Sequence, residues 1–167
     1  MKLGINIEHD KEYYVGIDPS LTATGLIMLN ENGEIAVEKL IKTYTEHYIC
    51  PEQRLLDIMD NIIFLNTVYK LKYVYVEALS YMSQSTTLFE RCGLLYLITT
   101  FLFSNDIPFK LIPPKSLKKW AVNNGNASKE IMMIDSGIRW SIKFEDDNIC
   151  DAYNLAQMSR YREGNYE

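Results

Sequence analysis

Two acidic residues stand at the ends of apolar, β-rich runs. Asp18 follows Val15-Gly16-Ile17, and Glu77 follows Val74-Tyr75-Val76. A carboxylate at the end of a buried strand is costly unless it is paired or bound to a cation. Asp18 alone has a plainer reading, because Asp18-Pro19-Ser20 is a common start of a turn. Glu77 has no such role, and Glu is a poor strand residue. A third acidic group, Glu145-Asp146-Asp147-Asn148-Ile149-Cys150-Asp151, opens a helical pattern. Acids at a helix start satisfy free N–H groups and the dipole, so Asp146 or Asp147 suits a cap. Asp151 lies a turn further in, among Ile149, Cys150, Ala152 and Leu155, where capping does not account for it. Asp147, at i−4, and Asn148, at i−3, share a helix face with it.

Carboxylates gathered in one cleft repel and require a cation. Oxygen donors without His or Cys select a hard ion, Mg²⁺ with Mn²⁺ as a substitute. Two such ions about 3.5–4 Å apart are the usual machinery of phosphodiester hydrolysis, one activating a water and one stabilising the departing 3′ oxygen. His9 and His47 have no partner at metal-ligand spacing, and Cys50, Cys92 and Cys150 form no CxxC pair. The cysteines read as small buried hydrophobes in a reducing compartment.

The elements that must position these acids follow from pattern. The 167 residues suit one domain spanning 1–167, with 1–12 a polar N-terminal extension. Strands are expected at Tyr13–Asp18, Thr24–Leu29 and Glu34–Thr43, with Asn30-Glu31-Asn32-Gly33 as a turn. Pro51 opens a helix with Leu55, Leu56, Met59, Ile62, Ile63 and Asn66 at helical spacing. A strand at Tyr73–Glu77, a helix at Ser85–Phe103 and a strand at Phe109–Ile112 come next. Helices at Lys115–Val122, Ala127–Trp140 and Asp146–Tyr161 complete the order. This is an α/β pattern: a five-stranded mixed sheet, an antiparallel three-strand meander plus parallel strands, flanked by helices. Right-handed crossovers place the fourth strand beside the first, which brings Asp18 next to Glu77. The 85–103 helix is apolar nearly all round, with Leu88, Cys92, Leu95, Tyr96 and Phe103 as one stripe. It is expected to bury one side in the core and to meet a two-fold partner with the other.

The longest apolar run, Gly93–Phe103, is about half of the ~20 residues that span a bilayer. The N-terminus also lacks the pattern of a signal peptide. A soluble cytoplasmic protein without membrane contact is expected. The formal charge, 17 − 22 = −5, argues against coating nucleic acid by bulk charge. However, Lys110, Lys115, Lys118, Lys119 and Lys129 fall within one stretch and offer local phosphate contacts. Ser20, Thr22 and Thr24 are candidate phosphate donors from the first loop.

Gly16-Ile17-Asp18-Pro19-Ser20-Leu21-Thr22-Ala23-Thr24-Gly25 resembles the opening motif of the RuvC-type Holliday junction resolvases. Val74-Tyr75-Val76-Glu77 resembles their second motif and Asp151-Ala152 their third. Gly125-Asn126-Ala127-Ser128-Lys129 resembles their small loop and lysine, and Lys118 falls where they keep another lysine. The motifs run in order from Tyr13 to about Tyr161. The resemblance implies a ribonuclease-H-like fold, a homodimer and metal-dependent cutting of four-way DNA junctions. The paired nicks would leave 5′-phosphate and 3′-hydroxyl ends.

By this resemblance Asp18, Glu77 and Asp151 are metal ligands and catalytic residues. The family's usual Asp or His three residues before the last Asp is Asn148 here. Asp147, nearly on the same face, is the preferred fourth ligand, and Asn148 through its carbonyl oxygen is the alternative. Lys118 is implied as a catalytic lysine, and Lys118 and Lys129 as DNA contacts beside the metals, with Lys115 as a further contact. Tyr81 stands where the family places an aromatic that stacks on an unpaired base. A small resolvase of this kind suits a phage acting in a bacterial host's cytoplasm. Two other readings stay open: a nuclease of the same fold acting on RNA or RNA·DNA hybrids, and a branched-DNA-binding module that does not cut. An actin-like ATPase would need two lobes, for which the chain is too short.

Overall fold

The computed structural model describes residues 11–79 and 86–164. Tyr81 and all but the last two residues of the 1–12 extension lie outside them. Strands β1 (Glu12–Asp18), β2 (Ala23–Leu29) and β3 (Ile35–Lys42) form an antiparallel meander. Strand β4 (Lys70–Glu77) pairs with β1 in parallel, and β5 (Phe109–Ile112) pairs in parallel with β4. The five-stranded order is β3-β2-β1-β4-β5, the mixed sheet expected from the pattern. Ile17 is opposite Val76, so Asp18 and Glu77 leave adjacent strands at one edge of the sheet.

Helices α1 (Pro51–Val68) and α2 (Leu88–Ser104) cover one face, packing Ile58, Ile62, Leu94, Ile98 and Leu102 against Val15, Ile17, Val74 and Val76. Helices α3 (Pro114–Val122), α4 (Lys129–Trp140) and α5 (Asp147–Glu163) cover the other, where Ile27, Leu29 and Tyr75 point. The alternation of strand side chains between these two cores is the period-two pattern of a sheet buried on both faces.

Helix α5 rests almost directly on the strands. A Cβ on Gly16 would fall 1.9 Å from the Ala152 carbonyl oxygen, and one on Gly25 would fall 2.2 Å from the Asn148 carbonyl oxygen. A strand glycine marks such close backbone approach. With Ala152 and Ala156 small on the helix side, this contact carries the start of α5 to the end of β1.

Several boundaries differ from the expected ones for identifiable reasons. β4 starts at Lys70 because its parallel ladder with β1 begins at the Glu12–Lys70 pair, where Lys70 and Lys72 also meet the Glu12 carboxylate at 2.6 and 3.4 Å. α4 starts at Lys129 because the Ser128 side chain caps it, accepting from the Ile131 N–H. α5 starts at Asp147 because Asp146 is the cap, its Oδ1 accepting from the N–H groups of Asn148 at 2.9 Å and Ile149 at 3.3 Å. On α1 the buried face includes Leu55, Ile58, Met59, Ile62 and Leu65, whereas Leu56 and Ile63 are exposed. On α2 the core face is Leu94, Ile98 and Leu102, and Leu88, Tyr96 and Phe103 of the other stripe are exposed on the outer side. Apolar residues beyond the core face, on α1 beside polar ones and on α2 nearly all round, blur the face that periodicity assigns. Of the three cysteines only Cys150 is buried; Cys50 is exposed at the start of α1 and Cys92 is half-buried. Among the described residues no helix is long and apolar enough to cross a membrane.

Candidate active site

The edge where β1 and β4 end is closed from above by α5 and from the side by α3 and α4. Asp18, the last residue of β1, is 8% exposed. Glu77 ends β4, Asp147 begins α5 and Asp151 lies one turn further along it. Glu77, Asp147 and Asp151 line a cavity of about 180 Å³ together with Lys118, Lys129 and Met132. The i, i+4 spacing thus puts Asp147 and Asp151 on the face that looks at the two strand ends.

Burial and mutual repulsion hold these acids far from their ordinary state. Burial, followed by the Glu77 charge and a hydrogen bond to Glu77, raises the Asp18 carboxyl well above the usual range. Burial and then the Asp151 charge push Glu77 up to about 7, against the hydrogen bond from Asp18 and the charges of Lys118 and Arg91. Burial and then the Asp18 charge push Asp151 up to about 7, against Lys118 and Lys129. These effects favour the protonated form of Asp18, which is placed to donate to Glu77. The Asp151 Oδ1 is buried and has no hydrogen-bond partner, alone in this among the described residues. A buried acceptor left in that state costs about 1–3 kcal/mol.

Two lysines reach into the cleft. Lys129 forms an ion pair with Asp147 through Oδ2. Lys118 donates from Nζ to the Ala127 carbonyl at 2.7 Å, which fixes its head beside the carboxylates and ties α3 to the loop before α4. Arg91 on α2 also acts on Glu77. The sequence signal for Arg91 was a lone cation on an otherwise apolar helix. Met132 had none beyond its helical spacing.

The remaining candidates lie elsewhere. The Asn148 side chain donates to Asp146 Oδ1 at 3.2 Å, and Asn148 does not line the cavity. Ser20 Oγ accepts from the N–H groups of Thr22 and Ala23, both at 3.4 Å, within its own turn. Thr24, expected as a phosphate donor, is fully buried; its Oγ1 donates to the Ser20 carbonyl at 2.6 Å and accepts from the Ser20 N–H at 3.1 Å. It is a brace of the loop, because its one proton and one of its lone pairs are engaged there and the side chain is closed off from solvent. Lys115 is exposed on the first turn of α3, off the cavity wall. Tyr81 falls outside the described residues.

The donor set is all oxygen, the type that takes a hard divalent ion. Among the described residues no three His, Cys, Asp or Glu side chains stand gathered as a ready metal cluster. The negative charge is offset by Lys118 and Lys129, and burial favours the protonated acids. An orphaned buried oxygen, with three carboxyls raised toward neutrality, fits a ligand set for such a cation.

A crossover junction endodeoxyribonuclease RuvC of Brachyspira hyodysenteriae is 27% identical over 145 residues, covering 85% of this chain and 89% of that protein. No protein-family model matches. The structure of Thermus thermophilus RuvC matches with a TM-score of 0.69 at 18% identity. The same protein in complex with a Holliday junction substrate matches at 0.72 and 18% identity. Each match covers 92% of this chain and 96% of the other. Sequence and fold agree: the chain is similar to the RuvC crossover junction endodeoxyribonucleases in both, and its mixed sheet between helices has their ribonuclease-H-like fold.

Proposed function

We propose that this chain is a divalent-metal-dependent endonuclease that resolves four-way DNA junctions as a homodimer. The observation that carries the reading is the convergence of Asp18, Glu77, Asp147 and Asp151 on one cleft, with a buried oxygen of Asp151 lacking any partner. The likeness to RuvC supports the substrate class. Asp18, Glu77, Asp151 and Asp147 would hold Mg²⁺ or Mn²⁺. Asp147 is preferred over Asn148 because it faces Asp151 and Asp18, whereas the Asn148 amide is turned to Asp146. When bound, the ions supply an activated water and charge for the departing 3′ oxygen.

The chain's own residues have separate tasks. Lys118, held by the Ala127 carbonyl, presents a fixed positive charge to the phosphate being cut and offsets the carboxylates that would repel it. Lys129 exchanges its hold on Asp147 for the DNA backbone. Lys115 and the turn at Ser20 take flanking phosphates, and Tyr81 stacks on a base at the branch. These contacts position the strand without reading its sequence. The outer stripe of α2, Phe89, Tyr96 and Phe103, is 89%, 73% and 77% exposed, respectively, at seven-residue spacing. That apolar face suits a second copy of the chain, which would set two sites on one symmetric junction.

The test is a panel of end-labelled four-way, three-way, flap and linear DNA, with an RNA·DNA hybrid beside them, in Mg²⁺ or Mn²⁺. Paired, ligatable cuts in the four-way junction are expected, lost in Asp18→Asn while junction binding survives. Binding of branched DNA with no cutting in either metal would overturn the nuclease assignment and leave a non-cleaving module. Preferential cutting of RNA·DNA hybrid would overturn the substrate.

A further inference from the structure

Arg54 is buried on α1, 5% exposed, and its guanidinium goes to threonines instead of to a carboxylate. Nε donates to Thr43 Oγ1 at 2.9 Å, Nη1 to Thr45 Oγ1 at 3.0 Å and Nη2 to the Thr43 carbonyl at 3.4 Å. Removing such a charge from water is costly, and stapling α1 to the end of β3 would not by itself require it.

Thr43 shows where the contact leads. Its hydroxyl donates to the Leu21 carbonyl, and its N–H donates to the Thr22 carbonyl at 3.1 Å. A hydroxyl carries one proton. With Arg54 Nε donating into its lone pair, that proton is directed at Leu21. Leu21 and Thr22 belong to the loop that leaves Asp18 at the end of β1 and carries Ser20. The inner side of the same loop is closed by Thr24 on Ser20. The loop is therefore clamped on both sides, and the outer clamp is Arg54 acting through Thr43.

We infer that Arg54 is a positioning residue: through the Thr43 hydroxyl it holds the Asp18–Ser20 loop in the conformation that the site uses. The catalytic part of this inference rests on the function proposed above; the clamp itself does not. Arg54→Met and Thr43→Val each cut the relay at a different atom, and Arg54→Lys keeps a donor for Thr43. The measurements are thermal stability, amide hydrogen exchange, junction affinity in EDTA and single-turnover cleavage of a four-way junction with Mg²⁺.

Either cut should speed exchange at residues 20–24 while β4 and β5 keep their protection. Cleavage should slow by about tenfold or more, exceeding any loss of junction affinity that the loosened Ser20 turn brings. The double variant should be no slower than either single one, and Arg54→Lys should recover part of the rate. Should Arg54→Met fail to fold, Thr43→Val decides in its place. Unchanged exchange at 20–24, or a uniform loss of protection across the sheet with a matching fall in thermal stability, would overturn the inference. A wild type that cuts no branched DNA would overturn the proposed function, and the exchange measurement would then decide the clamp alone.

Discussion

Replacing Asp151 by Asn should stabilise the metal-free chain, by an amount that grows with pH. The carboxyl's ordinary value is 3.8, and burial beside Asp18 pushes it to about 7. Between those values the folded chain keeps a proton that the unfolded chain has released, so folding stability falls as pH rises through that window. At about 1.36 kcal/mol per pH unit, the gap from 3.8 to about 7 sets an upper bound of roughly 4 kcal/mol. Partial solvent contact and relaxation of Glu77 and Asp18 bring the expected gain to about 1–2 kcal/mol. Asn has the shape of the neutral acid and no ionisation to suppress. Wild type and variant should therefore differ least near pH 4, diverge through pH 5 to 7, and run parallel above about pH 8.

The amide also places an N–H₂ group in the cleft. That cost is independent of pH, so it displaces the whole comparison without changing its slope. Urea unfolding in EDTA at several pH values measures the difference directly. A pH-independent difference between the two proteins would refute the reasoning, because Asp151 would then carry no suppressed charge in the folded state. Repeating the series with Mg²⁺ should stabilise the wild type more than the variant, since a ligand that binds only the folded state adds its binding free energy to stability.

Three further outcomes follow from other parts of the structure. Gly16→Ala should cost about 3 kcal/mol or more in denaturant unfolding, because the new Cβ would lie 1.9 Å from the Ala152 carbonyl oxygen; a loss under about 1 kcal/mol would mean that α5 is not seated by that contact. Lys129→Met should raise the carboxyl values of Asp18 and Asp151 still further, since Lys129 lowers both; carboxyl NMR titration of the metal-free chain reads this, and an unmoved titration would place Lys129 outside the site. Tyr96→Glu on the exposed stripe of α2 should shift the chain toward monomer in sedimentation; an unaltered mass would remove that face from the subunit contact.

Much of the site was legible from local signals. The strand-end position of Asp18 and Glu77 follows from apolar runs that each finish in an acid. A cap at Asp146 or Asp147 follows from their place before a helical period, Asp146 being the one that takes it, and Asp151 stands out by lying one turn too deep to cap. The faces of α1 and α2 were not legible, because Leu56, Ile63, Phe89 and Phe103 are as apolar as the residues that are buried. Thr24 was open between a phosphate donor and a plain strand residue, because a hydroxyl at a strand start suits either, and only the closed loop selects the Ser20 backbone. Arg54 gave no signal beyond a charge on an amphipathic helix.

By itself the sequence determined the element order, the chemical type of the donor set and the two strand ends on which it depends. These rest on period, capping and turn chemistry, which act over a few residues. Only the tertiary structure decided how the donors meet. Gly16 and Gly25 admit α5 to the sheet, Lys129 takes Asp147, and Asp18 hydrogen-bonds Glu77 while an oxygen of Asp151 is left without a partner. Those outcomes depend on desolvation and on distances between segments remote in the chain, and both quantities exist only once the sheet has closed under its helices.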